Sequence, residues 1–584
     1  MTAGRHVTAA DLAAAAARRI RRESSDIANA LAVYRLPALA GRTPDKLAAT
    51  PRPLSRGDKA NGAAILAGRF SLVGETLEVS AGESVWDKPA PSRRFAEALH
   101  RFCWLNDLLA VGDADAAETA RALVDDWIDR FGGWNWFSWE PRVLEGRLHA
   151  WLLAGETLTG GDDGARRLRA LARQARRLAR AMPVVEPDRT RLDACISLAM
   201  AVLCLGLPAK TAVKAGEDLA AALDAQILAD GGHVSRSPQA AAEILIALTE
   251  LEIAASDAGL DLPDAVRRAM DRLAGFVRFC RMTGGALAGF HGGGEGDGRA
   301  IDAALDRLGA NRKDKAGFNV APHSGYHRAE AGGAVVVMDA GGPPPGLYAG
   351  ESHASALAFE FSAPGGRIVV NCGWRADQPM PWREAVRATA AHSALTLEET
   401  SSARLLGPGW RRELLGPRVE HGPDPVKVRR NEEDLGVWLE ASHDGYRKPF
   451  GMSLRRRLFL AVDGGDLRGE DGLYRPVEDG APPDPEARLR FAIRFHLHPD
   501  VKASLARDSL SALLVLPNGD GWRFRTDGGP VRLERSVYLA AGAPPKRSTQ
   551  LVIVGEAEPF GGGDRPPNRV RWAFQRLGRV GGAG

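Results

Sequence analysis

A polar, glycine-flanked segment lies between two stretches of helical period in the first half of the chain. The segment, residues 230–238, reads DGGHVSRSP. Its glycines permit unusual backbone angles, and it presents His233 and Arg236 just before a helix N-terminus, where anions are favoured. One interpretation is a polar interhelical loop with capping residues. The other is a site for an acidic substrate, in which an imidazole transfers a proton.

A second group of polar residues lies in the other half of the chain, at the ends of predicted strands. Glu351 and His353 come just before one strand, and Asn371 ends the next. His392 precedes a third strand. If these strand ends converge, the two imidazoles with the amide could form a proton-transfer site. They could also hold a divalent metal such as zinc or calcium. A single histidine is more often structural, so a structural role remains the alternative.

Three tryptophans, Trp134, Trp136 and Trp139, stand close together within residues 132–141. The flat faces of such rings pack against the C–H faces of pyranose sugars, which predicts a substrate-binding platform. Ordinary core packing explains the same cluster equally well, and both interpretations remain open.

Composition excludes several classes of protein. The chain has 584 residues, with 77 Lys+Arg against 73 Asp+Glu, so its net charge of +4 is too small to indicate nucleic-acid binding. No motif for phosphate binding, zinc proteolysis or α/β-hydrolase chemistry occurs in a suitable context. Nucleic-acid binding, ATP use, zinc proteolysis and α/β-hydrolase chemistry are therefore disfavoured.

The cysteines and the N-terminus bear on location. The five cysteines include no CxxC pair, which argues against a disulfide framework and favours a reducing compartment. No run of about 18 apolar residues predicts a transmembrane segment. Near the N-terminus the apolar run 12–17 precedes Arg18 and Arg19, the reverse of an export signal. The sequence thus shows no signal peptide and is compatible with the cytoplasm.

The elements that must position these residues change period along the chain. From about residue 94 to 310 apolar residues recur at helical spacing, as in Val266, Met270, Leu273 and Val277. After about residue 325 short apolar runs alternate with turn signals and predict antiparallel strands. We predict a multidomain chain, α then β. Its parts are an N-terminal helical extension at 1–60, a helical domain at 61–310, a linker at 311–324 and a β-sandwich at 325–584.

In their order, four segments resemble the heparinase II/III-like family of polysaccharide lyases. They are residues 230–238 (DGGHVSRSP), 352–360 (SHASALAFE), 368–373 (IVVNCG) and 389–393 (TAAHS). The resemblance covers most of the chain from about residue 60. It implies an incomplete (α/α) toroid followed by an antiparallel β-sandwich, in agreement with the change of period.

The resemblance also implies β-elimination on a uronate-containing glycan, which needs a neutraliser of the carboxylate, a base and an acid. The chain departs from the family pattern at these positions, with Ala240 near the usual Tyr and Glu351 in place of a catalytic-type His. The candidate catalytic residues are then His233, Glu351 and Arg236, with Arg191 pairing to the substrate carboxylate. The family's metal positions match His353, Asn371 and His392, where Asn replaces an acidic ligand.

We therefore expect a polysaccharide lyase that acts on an acidic glycan, with a bacterial cell envelope or periplasm as its family-based location. The alternative is a non-catalytic protein on the same scaffold, which binds a glycan or takes part in cell-envelope assembly. Fold alone does not decide between them.

Overall fold

A computed structural model of the chain describes residues 7–31, 43–309, 317–476, 487–541, 544–559 and 564–579. Within this part of the chain a helical region comes first and antiparallel sheets follow. The α-helices are α1 Ala9–Ala30, α2 Lys59–Leu66, α3 Arg93–His100, α4 Leu105–Ala110, α5 Ala114–Phe131, α6 Pro141–Thr159, α7 Gly164–Ala181, α8 Arg189–Leu205, α9 Ala209–Gln226, α10 Pro238–Asp257, α11 Asp264–Cys280, α12 Gly298–Arg307, α13 Met380–Ala385, α14 Trp410–Leu415 and α15 Arg447–Phe450.

The strands form two large antiparallel sheets and two small two-stranded sheets. The strands are β1 Arg69–Leu72, β2 Glu75–Glu78, β3 Val320–Ala321, β4 Tyr326–Ala331, β5 Ala334–Asp339, β6 Phe359–Ala363, β7 Gly366–Val370, β8 Leu395–Leu397, β9 Arg404–Leu405, β10 Val419–His421, β11 Lys427–Glu433, β12 Gly436–His443, β13 Ser453–Ala461, β14 Asp466–Tyr474, β15 Leu489–Leu497, β16 Lys502–Leu505, β17 Ser511–Val515, β18 Asp520–Thr526, β19 Val531–Tyr538, β20 Lys546–Ala557 and β21 Arg569–Arg579. One sheet has the order β19-β20-β15-β7-β6-β5-β4-β3, with β8 also paired to β15. The other has the order β11-β12-β13-β14-β21-β18-β17-β16.

The sheet that contains β5 lies between the helices and the other sheet. All six positions of β5 are buried. Val336 and Met338 pack into the core between the two sheets, whereas Val335 and Val337 pack into the core of the helical region. Burial on both faces explains why this strand is a continuous apolar run in the sequence.

Helix starts follow the capping signals in the sequence. The Ser237 side chain accepts a hydrogen bond from the backbone N–H of Ala240 at 3.3 Å, and Pro238 takes the first helical position. The predicted start of α10 is therefore confirmed. β3 begins at Val320, inside the predicted linker, and residues 311–316 of that linker lie outside the described residues.

Two features of the β half differ from expectation. The strand expected just after His353 begins only at Phe359, because Leu357 has a φ of 64° in a turn. The strands β11 and β14 were not predicted because charged residues fill them. Such charges pair across strands: Arg457 contacts Glu440 at 2.5 Å on one neighbour and Glu470 at 3.1 Å on the other.

Candidate functional site

His233 is part of a neutral hydrogen-bond network inside the helical region. Its Nε2 lies 3.0 Å from Oε1 of Gln226, and its Nδ1 lies 2.7 Å from Oγ of Ser235. Gln226 in turn donates to the backbone oxygen of Asp188, so its Oε1 accepts the Nε2 proton. Burial lowers the pKa of His233 to about 3. Both ring nitrogens are thus engaged, and the imidazole is neutral at physiological pH.

Arg236 ties the helical region to the sheet. Its Nε donates to the Ser324 carbonyl at 2.6 Å and its Nη1 to the Gly342 carbonyl at 2.6 Å. Its guanidinium also forms an ion pair with the fully buried Asp339. Only 5% of Arg236 is exposed. The side chain is therefore occupied by protein partners from the β half.

The three histidines His291, His353 and His392 form a second buried network. Nδ1 of His353 lies 3.1 Å from Nε2 of His392, whose Nδ1 donates to the Ala388 carbonyl at 2.8 Å. The lone pair on Nε2 of His353 then accepts the Gly292 N–H at 3.2 Å. Burial lowers the pKa of His392 to about 4 and also lowers the pKa of His353. His233 and His353 share no hydrogen-bond partner, so these two candidates belong to separate networks.

Asn371, the third candidate metal ligand, is held by backbone groups. Its Nδ2 donates to the Gly289 carbonyl at 3.1 Å, and its Oδ1 accepts the Ser393 N–H at 3.0 Å. No group of three His, Cys, Asp or Glu side chains suited to a metal ion occurs among the described residues. Because the amide of Asn371 is occupied by these backbone groups, this cluster does not fit a zinc or calcium site.

The tryptophan cluster divides into a buried and an exposed part. Trp139 is 4% exposed, and its Nε1 donates to the Phe131 carbonyl at 2.8 Å. Trp136 is 56% exposed, and its ring lies 5.0 Å from that of Trp134. The first residue is therefore a core residue, while the other two retain an aromatic surface on which a sugar could pack.

Glu351 lies where the two regions face each other. Its side chain is solvent-exposed, yet desolvation by the surrounding protein raises its pKa, against the opposing effect of Arg142. Glu243, from α10, raises the pKa further, while Arg94 and Arg189 lower it. The charged neighbours come from several helices, and the loop residue Gly292 lies against Glu351, so this carboxylate lies at the junction of the helices and the β half.

The helical side of this junction comes from α8 and α10. Gln239 donates from Nε2 to Glu243 at 2.8 Å, and it accepts the Gly294 N–H at 2.8 Å. Arg189 lies 3.5 Å from Glu243 and donates to Asp193 at 2.7 Å. We call the surface formed by Arg94, Arg142, Arg189, Gln239, Glu243 and Glu351 the interdomain cleft.

The sequence predicts Arg191 as a substrate-binding residue. In the structure, however, its side chain is bound to other groups of the helical region. Its Nη1 donates to the Met182 carbonyl at 2.5 Å, and Asp218 lies 4.0 Å away. Arg189, two residues earlier, points to the cleft. In the sequence, Gln239 and Glu243 have i, i+4 spacing on the helix that begins at the DGGHVSRSP segment. This spacing was the signal that could have predicted the part of the cleft formed by α10.

Comparison with known proteins gives related sequences and folds. The family described as Heparinase II/III-like, C-terminal, matches residues 313–573. The chain is 37% identical over 539 residues to FtsZ-localized protein C of Caulobacter vibrioides, covering 91% of each chain. Heparinase III has the same fold, with a TM-score of 0.66 at 15% identity, over 94% of this chain and 89% of that one.

A second solved structure, chondroitin AC lyase of Streptomyces coelicolor in complex with chondroitin sulphate, matches with a TM-score of 0.50 at 13% identity. The match covers 89% of this chain and 78% of that one. The predicted fold, a helical toroid followed by an antiparallel β-sandwich, is confirmed by these likenesses. Because the C-terminal family match and the 37% identical relative together span most of its length, the chain belongs to the heparinase II/III-like family.

Proposed function

We propose that this protein binds a glycan of the cell envelope in the interdomain cleft and serves envelope assembly at the division site. The observation that carries this proposal is the state of the residues predicted to catalyse β-elimination. His233 has both ring nitrogens bonded, and the guanidinium of Arg236 is bonded to carbonyl oxygens and Asp339. The scaffold of a lyase remains, without free groups at these two positions.

Three features support binding of an acidic polysaccharide or another glycan. The cleft carries the exposed arginine Arg142 beside Glu351, and exposed Trp136 gives a ring face for a sugar. A solved structure of the same fold holds chondroitin sulphate. Arginines bind carboxylates and sulfates through paired hydrogen bonds.

The proposed location is supported by the relative whose name places it with FtsZ. The identity of 37% over nine-tenths of both chains supports the same location for this protein. No helix in the described residues is long and apolar enough to cross a membrane, so a membrane-spanning helix within them does not hold the protein there.

The test measures binding, elimination and location for the full chain. Purified protein is passed over immobilised polygalacturonate, alginate, heparan sulfate and peptidoglycan, and ultraviolet absorbance of an unsaturated uronate is followed in solution. We expect retention by at least one polymer, about tenfold weaker for Trp136→Ala, with no rise in absorbance. A fluorescent fusion should coincide with the FtsZ ring.

Steadily rising absorbance on a uronate polymer would favour the lyase prediction over a binding role. Loss of that signal by at least about 10²-fold in Glu351→Gln would then identify Glu351 as the proton carrier. Absence of retention on every polymer, or a fusion spread evenly through the cell, would contradict the proposed function.

A further inference from the structure

The sheet that contains β5 carries a cavity on the face turned away from the other sheet. Strands β15, β20 and β19 are neighbours at one end of this sheet. Phe491, Ile493 and Ile553 point from them into the core between the two sheets, so the alternate residues face outward. The outward residues line a cavity of about 360 Å³, within the range of about 300–1,000 Å³ that is usual for small-molecule sites. We call it the outer cavity.

Small residues form the floor of the outer cavity, and long charged side chains surround it. Ala492 of β15 and Val554 of β20 are directly opposite each other in the middle of the floor. At one end Arg490 is opposite Glu556, and at the other end Arg532 of β19 completes the lining. The register places Arg532 four residues along β20 from Arg490, about 14 Å in the strand direction. The two arginines therefore lie at opposite ends of one floor.

The charged residues around this floor are available to a ligand. Arg490, Arg532 and Glu556 are exposed to solvent, as is Glu399, which reaches the cavity from the segment after β8. Within the part of the chain that the structure describes, none of these four side chains forms an ion pair or a hydrogen bond. Two cations and two carboxylates that the fold does not use for its own contacts therefore surround one cavity.

An acidic sugar matches each kind of group in this lining. A guanidinium binds a carboxylate through two parallel hydrogen bonds, and a glutamate oxygen accepts hydrogen bonds from sugar hydroxyl groups. The small side chains of Ala492 and Val554 let the C–H face of a sugar ring approach the sheet. A simple anion such as phosphate would be repelled by the two glutamates, and a neutral sugar would leave both arginines without a carboxylate.

We propose that the outer cavity is a second glycan-binding site, which takes two neighbouring acidic sugars of one chain. Arg490 and Arg532 each bind a sugar carboxylate, and Glu399 and Glu556 accept hydrogen bonds from the sugar hydroxyl groups. No bond is made or broken at this site. It shares no residue with the interdomain cleft, so the inference goes beyond the proposed function and does not depend on a ligand in the cleft.

The experiment titrates the full chain with digalacturonate in a calorimeter and repeats the titration with the carboxyl-reduced disaccharide. We expect Arg532→Ala and Arg490→Ala each to weaken binding by about tenfold or more, since each loses a hydrogen-bonded pair between charged groups. The reduced disaccharide should bind the wild type at least about tenfold more weakly. Arg535→Ala is the matched control, because Arg535 is exposed on the same strand as Arg532 but on its opposite face. It should keep the full affinity.

A variant of the interdomain cleft separates this inference from the proposed function. Arg142→Ala removes a cation of the cleft and leaves the outer cavity unchanged. Binding of digalacturonate that survives in Arg142→Ala and falls in Arg532→Ala would support the second site. Binding that only Arg142→Ala weakens would overturn the second site and leave the proposed function intact. Absence of binding to the wild type, or equal binding of the reduced disaccharide, would also overturn the second site, while retention on the other polymers tests the proposed function separately.

Discussion

At the scale of single residues, burial decides which charged side chains are free to act. Arg236 and Arg142 illustrate this, since both carry the same cation near the junction of the two regions. The first is buried and bonded to Asp339, so it holds the fold together. The second is exposed beside Glu351, so it can meet a ligand. The residue type alone does not separate these roles.

Substitution of the two arginines should give opposite results. Arg236→Ala leaves Asp339 buried without its cation, and we expect it to lower the free energy of unfolding by about 3–5 kcal/mol. Arg142→Ala should change that free energy by no more than about 0.5 kcal/mol and weaken glycan retention. Urea unfolding and retention on the polymer panel measure both effects. A stable Arg236→Ala protein that has lost only glycan binding would assign Arg236 to the ligand instead.

At the scale of elements, one glycine loop connects the walls of the interdomain cleft. Gly292 has a φ of 74°, a conformation in the left-handed region that L side chains rarely adopt. A Cβ at this position would also press against Glu351. The loop thus needs glycine for its own backbone and for the placement of the neighbouring carboxylate.

Gly292→Ala should therefore disturb the cleft more than it disturbs the fold. Left-handed strain of about 1–2 kcal/mol is common to Gly292→Ala and to Gly284→Ala, whose φ is 93° with no atom within 4 Å of the added methyl. In thermal unfolding Gly292→Ala should lose more stability than Gly284→Ala, because its added methyl also presses against Glu351. We expect only Gly292→Ala to weaken glycan retention, by about tenfold. Equal retention by the two variants would show that the contact with Glu351 is unimportant.

At the scale of the whole molecule, the helical region and the first sheet share one core. Tyr326, Val335 and Val337 from the sheet pack in the same apolar cluster as the helices. Asp230 adds polar contacts, since its carboxylate accepts the N–H groups of His323 and Ser324 at 2.8 and 2.7 Å. The two regions therefore stabilise one another across a continuous interface.

Unfolding should accordingly be cooperative across both regions. We expect the loss of helical circular dichroism and the change in tryptophan fluorescence to share one urea midpoint in the full chain. A fragment of residues 317–584 exposes Tyr326, Val335 and Val337, so it should aggregate or bind a hydrophobic dye strongly. Two separate transitions, or a soluble fragment with a cooperative transition of its own, would contradict the shared core.

The sequence by itself determined the order of the elements and the family. Helical spacing, the Ser237–Pro238 cap and alternating short strands depend on neighbours along the chain, so local patterns record them. The same holds for the family segments and for Glu351, which immediately precedes one of them in place of the usual histidine. Strands rich in charged residues, such as β11, were not predicted, because the residues that pair with these charges lie on other strands.

Only the tertiary structure decided which polar residues are free. His233, Arg236 and Arg191 share the types expected of a site, but their partners include residues 7 to 106 positions away. Glu243 and Arg189 reach the cleft beside Glu351 because α8, α10 and the segment before β6 meet there. Whether a side chain is neutralised or available depends on burial and on distant partners, and the spacing of residues in a sequence contains neither.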